Sequence, residues 1–106
     1  MADAKSELKI LKSYGATPQP NSGRGKHKKG DGILGPFMVD VKEYEKSYSI
    51  SRDNWAKVCT DAAGQRLQPM IALALGEETT IRSEMVVVGK KMFLEMLEAW
   101  EEKYGE

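Results

Sequence analysis

Apolar and polar positions along this chain repeat with two different periods, and the changes of period mark its elements. Ala4, Leu8 and Leu11 fall on one helical stripe with Glu7 and Tyr14 at its border, which predicts a helix over 3–14 closed by Gly15. Phe37, Val39 and Val41 alternate with Met38, Asp40 and Lys42, the period of a strand, reached through a Gly35-Pro36 turn. Trp55, Val58, Cys59 and Ala62 return to helical spacing and predict a second helix over about 52–64, capped by Ser49 or Ser51 and ended by Gly64. PMIALAL (69–75) is a short apolar run between Pro69 and Gly76, suited to a central strand buried on both faces. EMVVV (84–88) predicts another strand, joined to it through GEETT. Phe93, Met96, Leu97, Trp100 and Tyr104 form a stripe on a C-terminal helix. The order helix, strands, helix, strands, helix predicts a small α/β domain with a mixed sheet.

Residues 15–32 interrupt this pattern. They hold five Gly and two Pro together with Asn21 and Ser22, so little helix or strand is expected there. A loop of that length in a small domain is usually functional or mobile. At 106 residues the whole chain, 1–106, is expected to be one domain, and 41% hydrophobic residues supply one modest core. A single Cys rules out an intramolecular disulfide, and one His with one Cys cannot build a structural zinc site. No apolar run approaches a membrane span and MADAKSELK lacks a signal-peptide core. A soluble cytoplasmic protein with no membrane partner is the expectation.

Net charge is zero, from 16 Lys+Arg and 16 Asp+Glu. The balance conceals an asymmetry. Residues 1–50 carry nine basic and six acidic residues, and residues 51–106 carry seven and ten. RGKHKK (24–29) concentrates Arg24, Lys26, His27, Lys28 and Lys29, whereas the last twelve residues hold five Glu against one Lys. Local field, not total charge, governs attraction of a polyanion. A six-residue basic run is equally what a solvated loop contains, so its neighbours decide its meaning.

Asp40 and Lys42 stand two apart on a predicted strand and therefore share a sheet face. An acid two before a Lys occurs four times in the chain, also at Asp3/Lys5, Glu7/Lys9 and Glu101/Lys103. Those three lie on predicted helices, where such positions diverge. A solvated ion pair is the plain reading of Asp40/Lys42. Asp31 sharpens it: if 31–34 pairs back on 37–42, a hairpin brings the Asp31 carboxylate near Asp40. Two convergent carboxylates repel, and a hard cation such as Mg²⁺, with oxygen ligands, suits such a place. Lys42 beside it would hold or deprotonate an attacking water, or neutralise charge developing on a phosphate. The Gly-rich basic loop NSGRGKHKKGD (21–31) just upstream lets backbone N–H groups approach phosphates.

The run SGRGKHKKGDGILGPFMVDVKEYEKSYSIS (22–51) resembles the core of the PD-(D/E)xK nuclease superfamily, above all the small phage-type and archaeal Holliday-junction resolvases. In those proteins a Ser-Gly-rich loop leads to a Gly-Asp, a hairpin, an acid-x-Lys strand, a Ser-containing segment and a helix. The resemblance implies a restriction-endonuclease-like core, a mixed central sheet flanked by helices. It implies Mg²⁺-dependent hydrolysis of phosphodiesters in branched DNA, with Mn²⁺ as a substitute, by a homodimer acting on four-way junctions. For a phage-encoded chain the compartment would be the host cytoplasm. Carried over by position, Asp31 and Asp40 would be metal ligands, with the Val41 carbonyl a third and Glu7 of the first helix completing the site. Lys42 would be the catalytic lysine. Ser22, Gly23, Arg24, Lys26, His27, Lys28 and Lys29 would contact DNA. The chain departs from the pattern in having Gly30 before the first acid, Asp for the commoner Glu at position 40, and Arg24 where small residues are common.

Other residues carry weaker signals. Ser22 fits a phosphate contact or a turn cap. Cys59 reads as a small buried hydrophobe, and Trp55 and Trp100 as core aromatics. Lys46, Ser47 and Ser49 follow the active strand and are candidate backbone contacts. Gln65 and Gln68 lie near the mouth of the next strand without a mechanism. Three functional classes remain at this level. One is a metal-dependent endonuclease, cutting junctions or, with the same fold, nicking or trimming flaps. Another is a non-catalytic DNA-binding module built on the 21–31 loop. The third is an interaction subunit using the C-terminal stripe, which can serve as core or interface.

Overall fold

The computed structural model describes residues 4–20, 29–77 and 81–105. Helix α1, Ala4–Tyr14, ends in a Schellman arrangement: Gly15 at φ 75° donates to the Lys12 carbonyl, and Ala16 donates to Leu11. Strand β1, Thr17–Pro18, pairs antiparallel with β2, Gly32–Leu34, which pairs antiparallel with β3, Phe37–Tyr44. The β2–β3 connection is two residues long, and Gly35 carries the positive φ that a type II′ hairpin needs at its first central position. Helix α2, Arg52–Ala63, crosses over to β4, Gln68–Leu75, which lies parallel to β3 from Phe37↔Gln68 to Tyr44↔Leu75. Strand β5, Ser83–Val88, returns antiparallel to β4, and helix α3, Lys90–Tyr104, follows. The sheet order is β1-β2-β3-β4-β5, with one parallel pair at its centre.

Strand alternation divides the core in two. Phe37, Val39 and Val41 of β3 and Met70, Ala72 and Ala74 of β4 face α1, where Ile10, Leu11 and Ala16 meet them. Met38 of β3 and Ile71 and Leu73 of β4 face α2, which contributes Val58 and Ala62. Val39 and Ile71 are fully buried, so truncating either to Ala removes roughly 2–4 kcal/mol. The central strand read from 69–75 is indeed covered on both faces. Ser51, not Ser49, caps α2, its Oγ accepting from the Asn54 N–H, and Gly64 closes the helix. Among the described residues no helix is long and apolar enough to cross a membrane.

Three features differ from the sequence pattern. The buried face of α1 is Ser6, Ile10 and Leu11, whereas Ala4 and Leu8 are exposed. Ser6 displaces the expected phase because it has a buried partner on β3. Strand β1 lies inside the stretch expected to be loop, and it needs so few ladder bonds that Pro18 is tolerated at the sheet's edge. The C-terminal stripe is not core: no residue of α3 is buried and Trp100 is exposed. Only Met92 of α3, partly buried, packs against the α1-side core.

Candidate active site

The hairpin register fixes where the acids meet. Gly32↔Val39 is the last Cα pair of β2 with β3. One residue earlier, the Asp31 N–H donates to the Val39 carbonyl at 2.8 Å. The Asp31 side chain then takes over from the strand: its Oδ2 accepts from the Val41 N–H at 2.7 Å. A residue's N–H and C=O leave an extended strand on the same side, so the Val41 carbonyl faces this same edge, beyond the end of β2. The Asp31 carbonyl accepts from the Gln19 N–H at 3.0 Å, which pins the segment from its other side.

A side chain on either neighbour of Asp31 would force its surroundings to shift. Gly30 adopts φ 84°, and a Cβ there would lie 2.6 Å from Met38 Cγ. A Cβ on Gly32 would lie 2.7 Å from Leu11 Cδ2 and 3.0 Å from the Thr17 carbonyl. The Gly-Asp-Gly triplet is thus a packing requirement: the segment passes close over Met38 on one side and Leu11 on the other.

Asp40 and Lys42 project from β3 on the α2 side, both half-buried, with Lys42 Nζ 3.4 Å from Asp40 Oδ2. Burial raises the Asp40 pKa; the Lys42 charge opposes the rise and the Asp31 charge adds to it. Burial likewise lifts Asp31, to about 6; the Val41 N–H opposes the shift, while hydrogen bonding and like charge from Glu7 add to it. Asp31 therefore links Glu7 of α1 to Asp40 of β3. Burial draws the Lys42 pKa down, but Asp40 and the Tyr48 and Tyr44 hydroxyls outweigh it, and the net shift is upward. Lys42 is a cation at neutral pH. Tyr44 and Tyr48 stack with centroids 5.0 Å apart and planes at 21°.

Glu7, Asp31, Asp40, Val41 and Lys42 are thus brought to one edge of β3. Their donor set is all oxygen except for the Lys ammonium, which favours a hard cation. Among the described residues no three His, Cys, Asp or Glu side chains already form a ligand cluster. Mg²⁺ needs no such cage: one or two carboxylates suffice when water and phosphate oxygens fill its other positions. Of the loop residues expected to meet DNA, Lys29 is described and exposed, while Ser22, Gly23, Arg24, Lys26, His27 and Lys28 lie outside the described residues.

Two polar groupings escaped the sequence pattern. Gln65, in the turn after α2, accepts from Gln19 Nε2 and donates to the Lys29 carbonyl, both at 2.8 Å. It joins the two positions that flank residues 20–28. Glu43 accepts from the Ser6 hydroxyl at 2.7 Å and pairs with Arg82 at the foot of β5, with both charged side chains largely buried. An acid closing the apolar series Phe37, Val39, Val41 on the core face was the available signal for Glu43. Gln65 stood out only by its place near the mouth of β4, and its role was not readable because both its partners are distant in sequence. Comparison of the chain with family models, with curated proteins and with solved structures finds no match.

Proposed function

We propose that this protein is a Mg²⁺-dependent endonuclease of the restriction-endonuclease-like fold, acting on branched DNA in the manner of a Holliday-junction resolvase. The observation that carries the reading is the meeting of Asp31 and Asp40 at an open strand edge with the Lys42 ammonium beside them. The connectivity agrees with it: a hairpin bearing the first acid, a strand bearing Asp-x-Lys, a crossover helix and a parallel neighbour.

Asp31 and Asp40, with the Val41 carbonyl, would hold the cation, and Glu7 would stand behind Asp31. The bound cation would supply charge neutralisation at the scissile phosphate and a more acidic water. The protein's own groups set the rest. Val41 N–H fixes the Asp31 carboxylate so that one oxygen stays directed to the edge. Lys42, held cationic by Asp40, is better suited to stabilise negative charge on a phosphate than to take a proton from water. Lys29 and the basic residues before it add affinity for the DNA backbone.

The test is a panel of four-way junction, linear duplex and single strand, each with and without Mg²⁺, run with wild type and Lys42→Ala together. Junction cleavage that needs Mg²⁺ and disappears in Lys42→Ala is expected. Binding without cleavage in any condition would leave a DNA-binding module instead.

A further inference from the structure

Three hydrogen bonds hold Asp31 in place, and a residue outside the hairpin stands behind one of them. The Asp31 N–H donates to Val39, and its carbonyl accepts from the Gln19 N–H. Its carboxylate accepts from the Val41 N–H. The Gln19 side chain, only 9% exposed, donates from Nε2 to Gln65 Oε1 at 2.8 Å. Gln65 Nε2 in turn donates to the Lys29 carbonyl, also at 2.8 Å. One side-chain amide thus reaches both the chain two residues before Asp31 and the residue that pins its carbonyl.

Gln65 projects from a turn that is anchored at both ends. Ala62 of α2 is fully buried, and its carbonyl accepts from the Gln65 and Leu67 N–H groups, each at 2.9 Å. Arg66 takes the left-handed conformation, φ 59°, that such a helix end uses. The Gln68 N–H then reaches the Pro36 carbonyl at 2.8 Å, which ties the turn to the β2–β3 hairpin. Gln19 makes the link to this turn matter. Its Oε1 is buried without a partner among the described residues, so the Nε2 donation to Gln65 compensates burial of the amide. Without Gln65 both ends of that amide would be buried unpaired, a cost that drives it toward solvent. Moving the side chain outward displaces the Gln19 backbone, whose N–H holds Asp31.

We propose that Gln65 is a positioning residue for Asp31, setting where that carboxylate stands against Val41 and Asp40. It touches no reacting atom. The proposal deepens the nuclease reading and rests on it for the effect on cleavage, but not for the effect on the backbone. Removing an outer partner of a metal-binding side chain typically costs about 10–100-fold in metal affinity or activity. A misplaced Asp31 should therefore appear as a higher Mg²⁺ requirement and not as lost DNA affinity.

The first test needs neither metal nor DNA. Gln65→Met keeps the length of the side chain with neither hydrogen bond. In chelator, amide hydrogen exchange at Gln19, Asp31 and Val41 should accelerate roughly tenfold in this variant, while the amides joining β3 to β4 stay within about twofold. Gln65→Glu keeps an acceptor for Gln19 and sets a carboxylate oxygen against the Lys29 carbonyl, so Gln19 should accelerate less than in Gln65→Met. In cleavage, the Mg²⁺ concentration for half-maximal rate should rise about tenfold in Gln65→Met. The rate at saturating Mg²⁺ and DNA affinity in chelator should both stay within a few-fold of wild type. Unchanged exchange at Asp31 would overturn the proposal. So would acceleration spread over the whole sheet, or lost DNA affinity at an unaltered Mg²⁺ requirement. If the wild type cleaves no substrate, the nuclease reading fails, and the exchange result still decides whether Gln65 positions Asp31.

Discussion

The Asp31 carboxylate accepts a 2.7 Å hydrogen bond from the backbone N–H of Val41, ten residues further along the chain. This one bond does two things. It satisfies a β3 donor that lies beyond the reach of β2, and it holds an acid against the strand that carries Asp40 and Lys42. A buried carboxylate in that position is stabilised by a backbone dipole and destabilised by burial and by Glu7, and the destabilising influences win.

A pH dependence follows, with its sign fixed by that balance. Asp31 has an ordinary pKa of 3.8 and is raised to about 6 in the folded protein, and Asp40 is raised as well. The fold therefore favours the protonated acids. The stability they contribute is complete below about pH 4 and is lost as pH rises through about 6. Discounting for the solvent that still reaches Asp31, the loss is ~1–2 kcal/mol. Urea unfolding from pH 4 to 7.5 in chelator should show this decline. Addition of Mg²⁺ above pH 6 should reverse it by binding the ionised form, and Asp31→Asn should flatten the profile. A flat wild-type profile would contradict the shift.

Lys42 is expected to act through its charge and not as a base. Lys42→Ala should reduce metal-dependent cleavage by about 10²–10³-fold, the usual cost of one preorganised charge stabiliser, while DNA affinity stays within a few-fold. Lys42→Arg keeps the cation and should retain more activity than Lys42→Ala. The activity profile between pH 7 and 9 should show no rise assignable to deprotonation of Lys42, because its pKa lies above the ordinary lysine value. Single-turnover rates and filter binding on the same variants separate the two effects.

The glycines beside Asp31 should differ sharply from the glycine of the hairpin. Gly35→Ala meets only the cost of a positive φ, because a Cβ there touches nothing within 4 Å, and about 1 kcal/mol is expected. Gly30→Ala adds a clash with Met38, so its loss should reach ~2–4 kcal/mol. Gly30→Ala should also cost activity beyond its effect on stability, since the segment that must move carries Asp31. Thermal unfolding and cleavage at a temperature where both variants remain folded would distinguish these outcomes.

The pairing of Asp31 with Asp40 was legible in the sequence because a two-residue Gly-Pro turn leaves little freedom of register. Once 31–34 folds back on 37–42, the acids must lie close. Glu7 came from the resemblance, which implies an acid on the first helix, and not from the pattern of that helix. The buried face of α1 was not legible. Ser6 lies in the core with its hydroxyl donating to Glu43, 37 residues away, and no local pattern contains that partner. The stripe on α3 was visible as amphipathic, but periodicity reports that a face is apolar and not what covers it. Gln65 is a further case: its position near a strand mouth drew notice in the sequence, but its two hydrogen bonds reach Gln19 and Lys29, which no local pattern contains.

The Ser6–Glu43–Arg82 grouping yields the last prediction. Glu43 joins α1 to β5 from the end of β3 and lies one residue beyond Lys42. Its side chain and that of Arg82 are only 11% and 13% exposed. Arg82 Nε is buried without a partner, so Glu43 is its main compensation. Glu43→Ala leaves a buried guanidinium unpaired and should destabilise the protein by ~3 kcal/mol. Replacing both partners with apolar residues, Glu43→Leu with Arg82→Met, should recover much of that loss, because removal of a whole buried pair is far less costly than removal of half of it. The hydrogen bond from the Ser6 hydroxyl to Glu43 is lost in both variants, so recovery in the double variant is expected to be incomplete. Chemical denaturation of wild type, Glu43→Leu, Arg82→Met and the double variant closes the cycle, with Glu43→Ala measured beside it. If the double variant were as unstable as Glu43→Ala, the cost would lie in lost packing between α1, β3 and β5 and not in the stranded charge.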